Sequence, residues 1–190
     1  MENYYIYEID FNKIYTFSGG MIKIDEDTTG GYSHNIQVSP DEKFAVAVGY
    51  DRVMSFDLSD PANPSKQAAV LNYPMWSVLS GSISQDSKFY YTRADDGIRA
   101  FSVDQSTFAL TEIASVALNG EDVREVHAGI DGKYVYGKTR NQIFVYARDT
   151  ETGLLTAEPS KTVTFGGSDA VSNDDISAIS PSGEKYAVGM

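Results

Sequence analysis

The sequence contains no cysteine, and it has only one tryptophan and two histidines among its 190 residues. Without cysteine, disulfides, thiolate nucleophiles and cysteine-ligated zinc are excluded. No Asn-x-Ser/Thr acceptor occurs either, so glycosylation gives no indication of a compartment. No apolar run approaches the roughly 18 residues that cross a membrane as a helix, and the sequence therefore predicts a soluble protein.

Basic residues are also scarce, with 15 Lys and Arg against 27 Asp and Glu and a net charge of −12. Because nucleic-acid binding requires clustered positive charge, this composition argues against nucleic-acid partners and against anionic membranes. The opening MENYYIYEID has no basic segment followed by an apolar one, which predicts no signal peptide. A chain from which a signal had been removed would look the same, so cytoplasmic, extracellular and cell-surface locations all stay open.

What the sequence has in abundance is aromatic residues in a regular pattern. Thirteen Tyr and nine Phe favour β structure. Phe44, Phe89 and Tyr134 stand 45 residues apart, and each begins a similar phrase. A further copy begins at Tyr5, and another at Ile179. Each of the three central copies follows a lysine and an acidic turn, with Lys43, Lys88 and Lys133 after Asp41, Asp86 and Asp131.

Each repeat unit reads as four short strands, since segments rich in β-branched and aromatic residues alternate with turn residues. Four strands in about 45 residues is the period of a propeller blade. We therefore predict an all-β fold, a β-propeller of four-stranded antiparallel blades, about four blades with incomplete ends, in one domain over 1–190. The blades are expected at 4–31, 32–74, 75–120 and 121–170, with a partial blade at 171–190. A β-sandwich, the main alternative, needs no such repeat.

The two ends of the chain raise the question of ring closure. The N-terminal copy lacks an innermost strand, whereas the C-terminal copy offers one near 174–180 and a short second strand near 185–189. Three arrangements follow: part of a six- to eight-bladed propeller, two partial circles that share one ring, or a four-bladed ring with a surplus tail. An open blade exposes unpaired backbone, so self-association that completes the propeller is also expected.

Two phrases resemble known propeller repeats. The turn SPDEK (39–43) and the phrase IFVYARDTETGLLT (143–156) resemble the lactonase-like propellers, which include 6-phosphogluconolactonases and carboxymuconate cyclases. The phrase FDLSDPANPSKQAAV (56–70) is similar to the repeat of YVTN- and WD40-like surface propellers. The resemblance covers nearly the whole chain but rests on turn and packing positions. It implies a propeller and, as an expectation, a polar site of Arg, His and Glu that acts on a lactone.

The strongest candidate site lies where innermost strands would begin beside a central channel. Alignment of the repeats selects His34, Leu79, Arg124 and Asp175 as equivalent positions, and Glu125, His127 and Asp174 lie beside them. A guanidinium, an imidazole and a carboxylate at the axis could hold an anionic lactone and activate water by general base catalysis. The alternative interpretation is a set of solvated residues, paired with one another at the blade entrances.

Three further candidates for ligand binding are weaker. Asp174 and Asp175 are candidate ligand-binding residues at the channel, and Trp76 offers a stacking surface unless it packs between blades. No metal-ligating motif is present, and no cofactor is predicted. A channel-bound cation such as calcium at Asn173–Asp175 is a secondary hypothesis.

Two functions from different classes follow from these features. The first is a non-enzymatic binding or scaffold module that presents loops and a channel to a protein or small ligand, because regular architecture comes without a catalytic motif. The alternative is a lactonase-like hydrolase or cyclase acting on a sugar lactone or related anionic small molecule, with a site completed by further blades or a second chain. A repeat protein made for folding studies is a third, minor interpretation. The sequence does not decide whether the protein is an enzyme.

Overall fold

The computed structural model describes residues 33–49, 52–60, 65–67, 70–71, 80–94, 97–118, 123–164, 177–179 and 186–188. Within these ranges the regular secondary structure is entirely β, and they hold no apolar helix of membrane-spanning length. The predicted first blade, 4–31, lies outside the described residues. The strands are β1 (Ser33–Val38), β2 (Phe44–Gly49), β3 (Arg52–Asp57), β4 (Ser65–Lys66), β5 (Val70–Leu71), β6 (Gly81–Ile83), β7 (Phe89–Ala94), β8 (Gly97–Val103), β9 (Leu110–Ala117), β10 (Glu125–Ala128), β11 (Tyr134–Lys138), β12 (Gln142–Ala147), β13 (Lys161–Thr164), β14 (Ser177–Ile179) and β15 (Tyr186–Val188).

Strands that follow one another along the chain form successive antiparallel sheets. We call these sheets blade 1 (β1–β5), blade 2 (β6–β9) and blade 3 (β10–β13). In blade 1 the outermost position is divided between β4 and β5, which both pair with β3. Strands β14 and β15 form a further antiparallel pair. The predicted all-β fold of four-stranded antiparallel units is confirmed, while the exact blade boundaries stay predictions.

The second strands of blades 1 and 2 are buried on both faces. All six residues of β7 are buried. In β2 the five residues from Phe44 to Val48 are at most 1% exposed. Burial on both faces explains why FAVAV is continuously apolar instead of alternating with polar residues.

Two clusters of buried side chains fill the spaces between the blades. The cluster between blades 1 and 2 comprises Phe44, Val46, Val48, Val53, Ile83, Tyr90, Ala94, Phe101, Val103, Phe108 and Leu110. The cluster between blades 2 and 3 comprises Phe89, Tyr91, Ile98, Ala100, Val116, Leu118, Val123, Val126, Val135 and Tyr146. The recurring aromatic residues therefore pack between blades, as the sequence predicts, at Phe44 and Phe89.

The first strands of the three blades lie side by side, with β6 next to both β1 and β10. Side chains bridge them. Gln37 Oε1 accepts a hydrogen bond from Ile83 N at 3.2 Å, and Ser80 Oγ accepts one from Val126 N at 3.0 Å. Because each bridge satisfies a backbone donor of the next blade, it fixes the position of that blade's innermost strand. One of these strands, β10, carries the predicted site.

Two turns of the repeat use left-handed backbone at equivalent positions. The turn between the first and second strands has positive φ at Glu42 (61°), Ser87 (58°) and Gly132 (71°). The turn after the third strand has it at Phe108 (57°) and Gly153 (76°). Since glycine adopts this region without steric cost, blade 3 meets both requirements directly, whereas Glu42 of blade 1 and Ser87 and Phe108 of blade 2 are strained at the equivalent positions.

Candidate functional site

Three of the residues that the sequence predicts for a site lie in or next to strand β10. Arg124 immediately precedes the strand, Glu125 is its first residue and His127 is its third. His34 lies in β1, but its side chain is not among those that the structure describes. The remaining candidates lie outside the described residues, so their roles stay predictions: Trp76, Asp174 and Asp175.

Glu125 and His127 form a close pair on one face of β10. His127 Nε2 lies 3.4 Å from Glu125 Oε2, and the two side chains are 22% and 16% exposed. Residues two apart on a strand point to the same face. Val126 between them is fully buried in the cluster that joins blade 3 to blade 2. The Glu125–His127 pair therefore faces away from blade 2, where partial exposure leaves it accessible.

Arg124 is held at the entrance of the strand by its backbone. Its N–H donates to Lys138 O at 2.7 Å, which extends the pairing of β10 with β11 by one step. The preceding residue, Val123, is fully buried. Anchored on both sides in this way, the partly buried Arg124 stays next to Glu125.

The structure adds two residues that the sequence analysis missed, because strand register places them opposite the pair. Glu125 is the register partner of Lys138, and His127 is the register partner of Tyr136. Directly opposite residues of an antiparallel pair have neighbouring side chains. Lys138 is 0% exposed. A signal for it exists in the sequence, since Arg93 occupies the equivalent position of blade 2, 45 residues earlier.

The chemistry of this group combines an acid–base pair with cations. Burial, followed by the charges of Asp131 and Tyr134, raises the pKa of Tyr136, so its phenol stays protonated and can donate a hydrogen bond at neutral pH. A carboxylate beside an imidazole can orient that ring as a general base. Lys138, the register partner of Glu125 on β11, adds a buried positive charge on the same face as the carboxylate.

A cavity of about 310 Å³ lies at the other end of β10, between blades 2 and 3. Its lining residues are Gln85, Asp86, Ile130, Asp131, Gly132, Arg148 and Thr150. The guanidinium of Arg148 is bound to Asp86 at 2.6 Å and its side chain is 1% exposed. The Arg148–Asp86 ion pair in this cavity joins blade 3 to blade 2.

The described part of the chain contains no group of three His, Asp or Glu side chains close enough to hold a metal ion. The calcium hypothesis concerns Asn173–Asp175, outside the described residues, and it stays a prediction.

Comparison with known families points to one kind of propeller. Residues 82–171 match the family model described as lactonase, seven-bladed β-propeller. The match includes nearly all of blades 2 and 3 and every candidate residue at β10. The predicted resemblance to the lactonase-like propellers is confirmed, and with it the propeller architecture. No curated protein matches the sequence.

Solved structures share the fold at low sequence identity. A candidate 6-phosphogluconolactonase from Bacteroides fragilis is 24% identical with a TM-score of 0.61, over 76% of this chain and 42% of that one. The periplasmic gluconolactonase PpgL of Pseudomonas aeruginosa is 21% identical with a TM-score of 0.62, over 77% and 42%. Hydrazine synthase of Kuenenia stuttgartiensis is 19% identical with a TM-score of 0.60, over 81% and 40%. The chain spans less than half the length of each, and such likeness shows the fold alone.

Proposed function

We propose that this chain contributes a catalytic site to a lactonase-like hydrolase, which opens a sugar lactone or a related anionic small molecule. The observation that carries the proposal is the close pair of Glu125 and His127, 3.4 Å apart on the innermost strand of a blade. The pair lies inside the segment that matches the lactonase family model. Two of the similar structures, whose names refer to lactonases, support the same reaction class.

His127 is the general base in this proposal. When Nε2–H donates to Glu125, Nδ1 is left as the acceptor for a proton of water. Glu125 then holds the ring in that tautomer and stabilises the imidazolium that forms. We assign the negative charge of the substrate or of the reacting oxygen to Arg124, the residue that precedes Glu125 in the chain.

The proposed reaction needs no group beyond water and these side chains. Water adds to the carbonyl carbon of the lactone while one of its protons passes to His127. The tetrahedral intermediate collapses with cleavage of the ring C–O bond, and the imidazolium returns the proton to the leaving alkoxide oxygen. The product is a hydroxy acid, which loses a proton to bulk solvent at neutral pH.

The hydrolase is better supported than the binding or scaffold module that the sequence alone favours. The module is inferred from the lack of a catalytic motif, whereas the paired Glu125 and His127 provide an acid–base arrangement. The family match also favours a lactone as the substrate class.

The experiment that tests this proposal is lactone hydrolysis by the chain 1–190, followed as proton release with gluconolactone and its 6-phosphate as substrates. We expect His127→Gln to lower kcat by about 100-fold or more, the usual contribution of a general base. Arg124→Ala should raise KM more for the phosphorylated lactone than for the neutral one, because it removes a positive charge.

A matched control is Arg99→Ala. Arg99 lies on β8 of blade 2, where Nη1 pairs with Glu112 Oε1 at 3.4 Å, and its side chain is 23% exposed. This variant removes the same charge away from β10 and should keep the wild-type rate. Wild-type hydrolysis no faster than in buffer would refute catalysis by this chain, and equal loss in Arg99→Ala and Arg124→Ala would refute the role of Arg124.

A further inference from the structure

The cavity between blades 2 and 3 is built around a buried guanidinium. Arg148 donates from Nε to the Tyr91 oxygen at 2.9 Å and from Nη2 to Asp86 Oδ2 at 2.6 Å. Its Nη1 donates to Gly132 O at 2.7 Å. The Tyr91 hydroxyl donates in turn to Gly153 O at 2.8 Å. Because these hydrogen bonds come from both blades, they hold the charged group in one orientation, and the cavity is preformed.

Two N–H groups of this guanidinium are available to a ligand. An arginine side chain has five N–H donors, and the three hydrogen bonds use one on each nitrogen. The second N–H of Nη1 and that of Nη2 have no acceptor among the described residues. The ring of Phe89, 4.9 Å from the guanidinium carbon, covers one face of the group. Since Arg148 lines the cavity, these two N–H groups are the donors that it offers there.

Two carboxylates accompany these donors. Asp86 and Asp131 occupy equivalent turns, 45 residues apart, and both line the cavity. Asp86 Oδ2 is bound to Arg148, whereas Asp131 uses only Oδ1, which accepts from Lys133 N at 3.0 Å. Asp131 Oδ2 accepts no hydrogen bond from the part of the chain that the structure describes. Asp131 directly precedes Gly132, whose carbonyl binds the guanidinium, so the cavity carries an acceptor close to its donors.

The charges of the cavity select the class of ligand. An anion would meet the carboxylates of Asp86 and Asp131, and a cation would meet the guanidinium of Arg148. A neutral pair of adjacent hydroxyl groups suits both, because each hydroxyl donates one hydrogen bond and also accepts. The arrangement therefore favours a neutral polyhydroxylated molecule.

The remaining lining and the size of the cavity agree with such a ligand. Gln85 and Thr150 add an amide and a hydroxyl, and Ile130, which is 37% exposed, adds an apolar surface. The volume of about 310 Å³ lies at the lower end of the range for small-molecule sites, which begins at about 300 Å³. It suits one small ring better than a chain of rings.

We propose that this cavity, formed by Gln85, Asp86, Ile130, Asp131, Arg148 and Thr150, binds a neutral monosaccharide in its pyranose form. One of two adjacent hydroxyls donates to Asp131 Oδ2, and the oxygen of the other accepts from a terminal N–H of Arg148. The C–H face of the ring lies on Ile130. The site goes beyond the proposed catalysis, since it lies at the other end of β10 and shares no residue with the Glu125–His127 pair.

The test is titration of the isotope-labelled chain 1–190 with the methyl glycosides of glucose, galactose and mannose, followed by amide chemical shifts. We expect saturable shifts at Gly132 and Thr150 for at least one glycoside, with a Kd on the order of 1–10 mM for so small a ligand. Asp131→Asn keeps the size of the side chain but removes its charge, and it should weaken binding about tenfold. Thr150→Val removes one hydroxyl and should weaken binding severalfold.

The matched control is Asp41→Asn. Asp41 occupies the equivalent turn of blade 1, where Oδ1 accepts from Lys43 N at 3.4 Å, and it does not line the cavity. This variant removes the same charge and should keep the wild-type affinity. Glucose 6-phosphate should shift the amides of Gly132 and Thr150 less readily than methyl glucoside does, because its phosphate is repelled by the carboxylates.

Dispersed amide spectra establish that the variants fold, and if Asp131→Asn does not, the exposed Thr150→Val takes its place. Absence of saturable shifts at Gly132 and Thr150 with all three glycosides overturns the proposal. Equal affinities of Asp41→Asn and Asp131→Asn, or of Asp41→Asn and Thr150→Val, overturn it as well. Tighter binding of glucose 6-phosphate at these amides would refute the assignment to a neutral ligand.

Discussion

Arg148 of blade 3 donates from Nη2 to Asp86 Oδ2 of blade 2 at 2.6 Å, so that an ion pair joins the two blades. The Arg148 side chain is 1% exposed and that of Asp86 is 31% exposed. Burial by itself raises the pKa of Asp86, but hydrogen bonds from Ser84 and Arg148 outweigh it and hold the pKa below its ordinary value. The pair therefore links the packing of the blades to pH.

The first prediction concerns the stability of the fold in acid. Because the folded pKa of Asp86 is lowered, its contribution is fully present above the unfolded pKa of about 3.9 and is lost as the pH falls through the folded value. We expect Asp86→Asn to lower the free energy of unfolding at neutral pH by about 1–3 kcal/mol, since Arg148 then lies buried beside a neutral amide. Urea unfolding at neutral pH and near pH 3 measures the difference between wild type and variant, which should shrink in acid. A constant difference would contradict the role of the carboxylate.

The second prediction concerns the stability of the fold in alkali. Burial raises the pKa of Tyr91 to about 12, although Arg148 lowers it. An unfolded tyrosine ionises near pH 10, so in the window between these values the folded state holds a proton that the unfolded state has lost. Stability should therefore fall as the pH rises from about 10 to about 12.

The variant that checks this is Tyr91→Phe. It should lower the free energy of unfolding by about 1–2 kcal/mol near pH 8, because Gly153 O and Arg148 Nε lose their partner. The free energy of unfolding of this variant should also fall less steeply between about pH 10 and pH 12. Its tyrosinate absorbance should show one fewer phenol that titrates late than the wild type does. If the free energy of unfolding falls as steeply as in the wild type, other tyrosines cause the loss of stability in alkali.

The third prediction separates backbone strain from a steric clash at two glycines. Gly132 and Gly153 have similar φ values of 71° and 76°. A Cβ at Gly132 would meet Arg148 Nη1 at an ordinary 3.5 Å, whereas one at Gly153 would overlap the ring of Phe89 at 2.2 Å. We expect Gly132→Ala to lower the free energy of unfolding by about 1 kcal/mol and Gly153→Ala to lower it by at least about 2 kcal/mol more.

A double-mutant cycle provides the control for that difference. Phe89→Ala removes the atoms that clash, so combined with Gly153→Ala it should show a coupling free energy of about 1 kcal/mol or more in the favourable direction. Denaturant unfolding of the four proteins gives this coupling. Strict additivity would show that Phe89 is not the obstacle.

The fourth prediction is a stabilising substitution. Glu42 has φ of 61° at the position that blade 3 fills with Gly132. Glu42→Gly should raise the free energy of unfolding by about 0.5 kcal/mol, because relief of the left-handed strain exceeds the entropy that glycine adds to the unfolded chain. Ser87→Gly relieves the same strain but removes an oxygen that accepts from Asp41 N at 3.2 Å, so its gain should be smaller. Thermal melts rank the two variants, and the reverse ranking would contradict this account.

Much of the fold and part of the site could be predicted from residue order. The 45-residue period, the strand segments and the choice of Arg124, Glu125 and His127 all depend on local patterns, and β10 brings Glu125 and His127 together. Lys138 and Tyr136 were missed because they enter the site through the register of β10 with β11. Register is a property of two paired strands, and the pattern of either one alone does not state it.

The sequence by itself determined the repeat and the strand content, since the turn residues, the apolar segments and the spacing of the aromatic residues are local patterns along the chain. Only the tertiary structure decided which copies of the same residue are buried. Phe89 and Tyr134 occupy equivalent positions, yet they are 5% and 37% exposed. The reason is that the ring of Phe89 is covered by Gly153 from the next blade, 64 residues away. The burial of a side chain depends on which residues of another blade pack against it, and no local pattern specifies that contact.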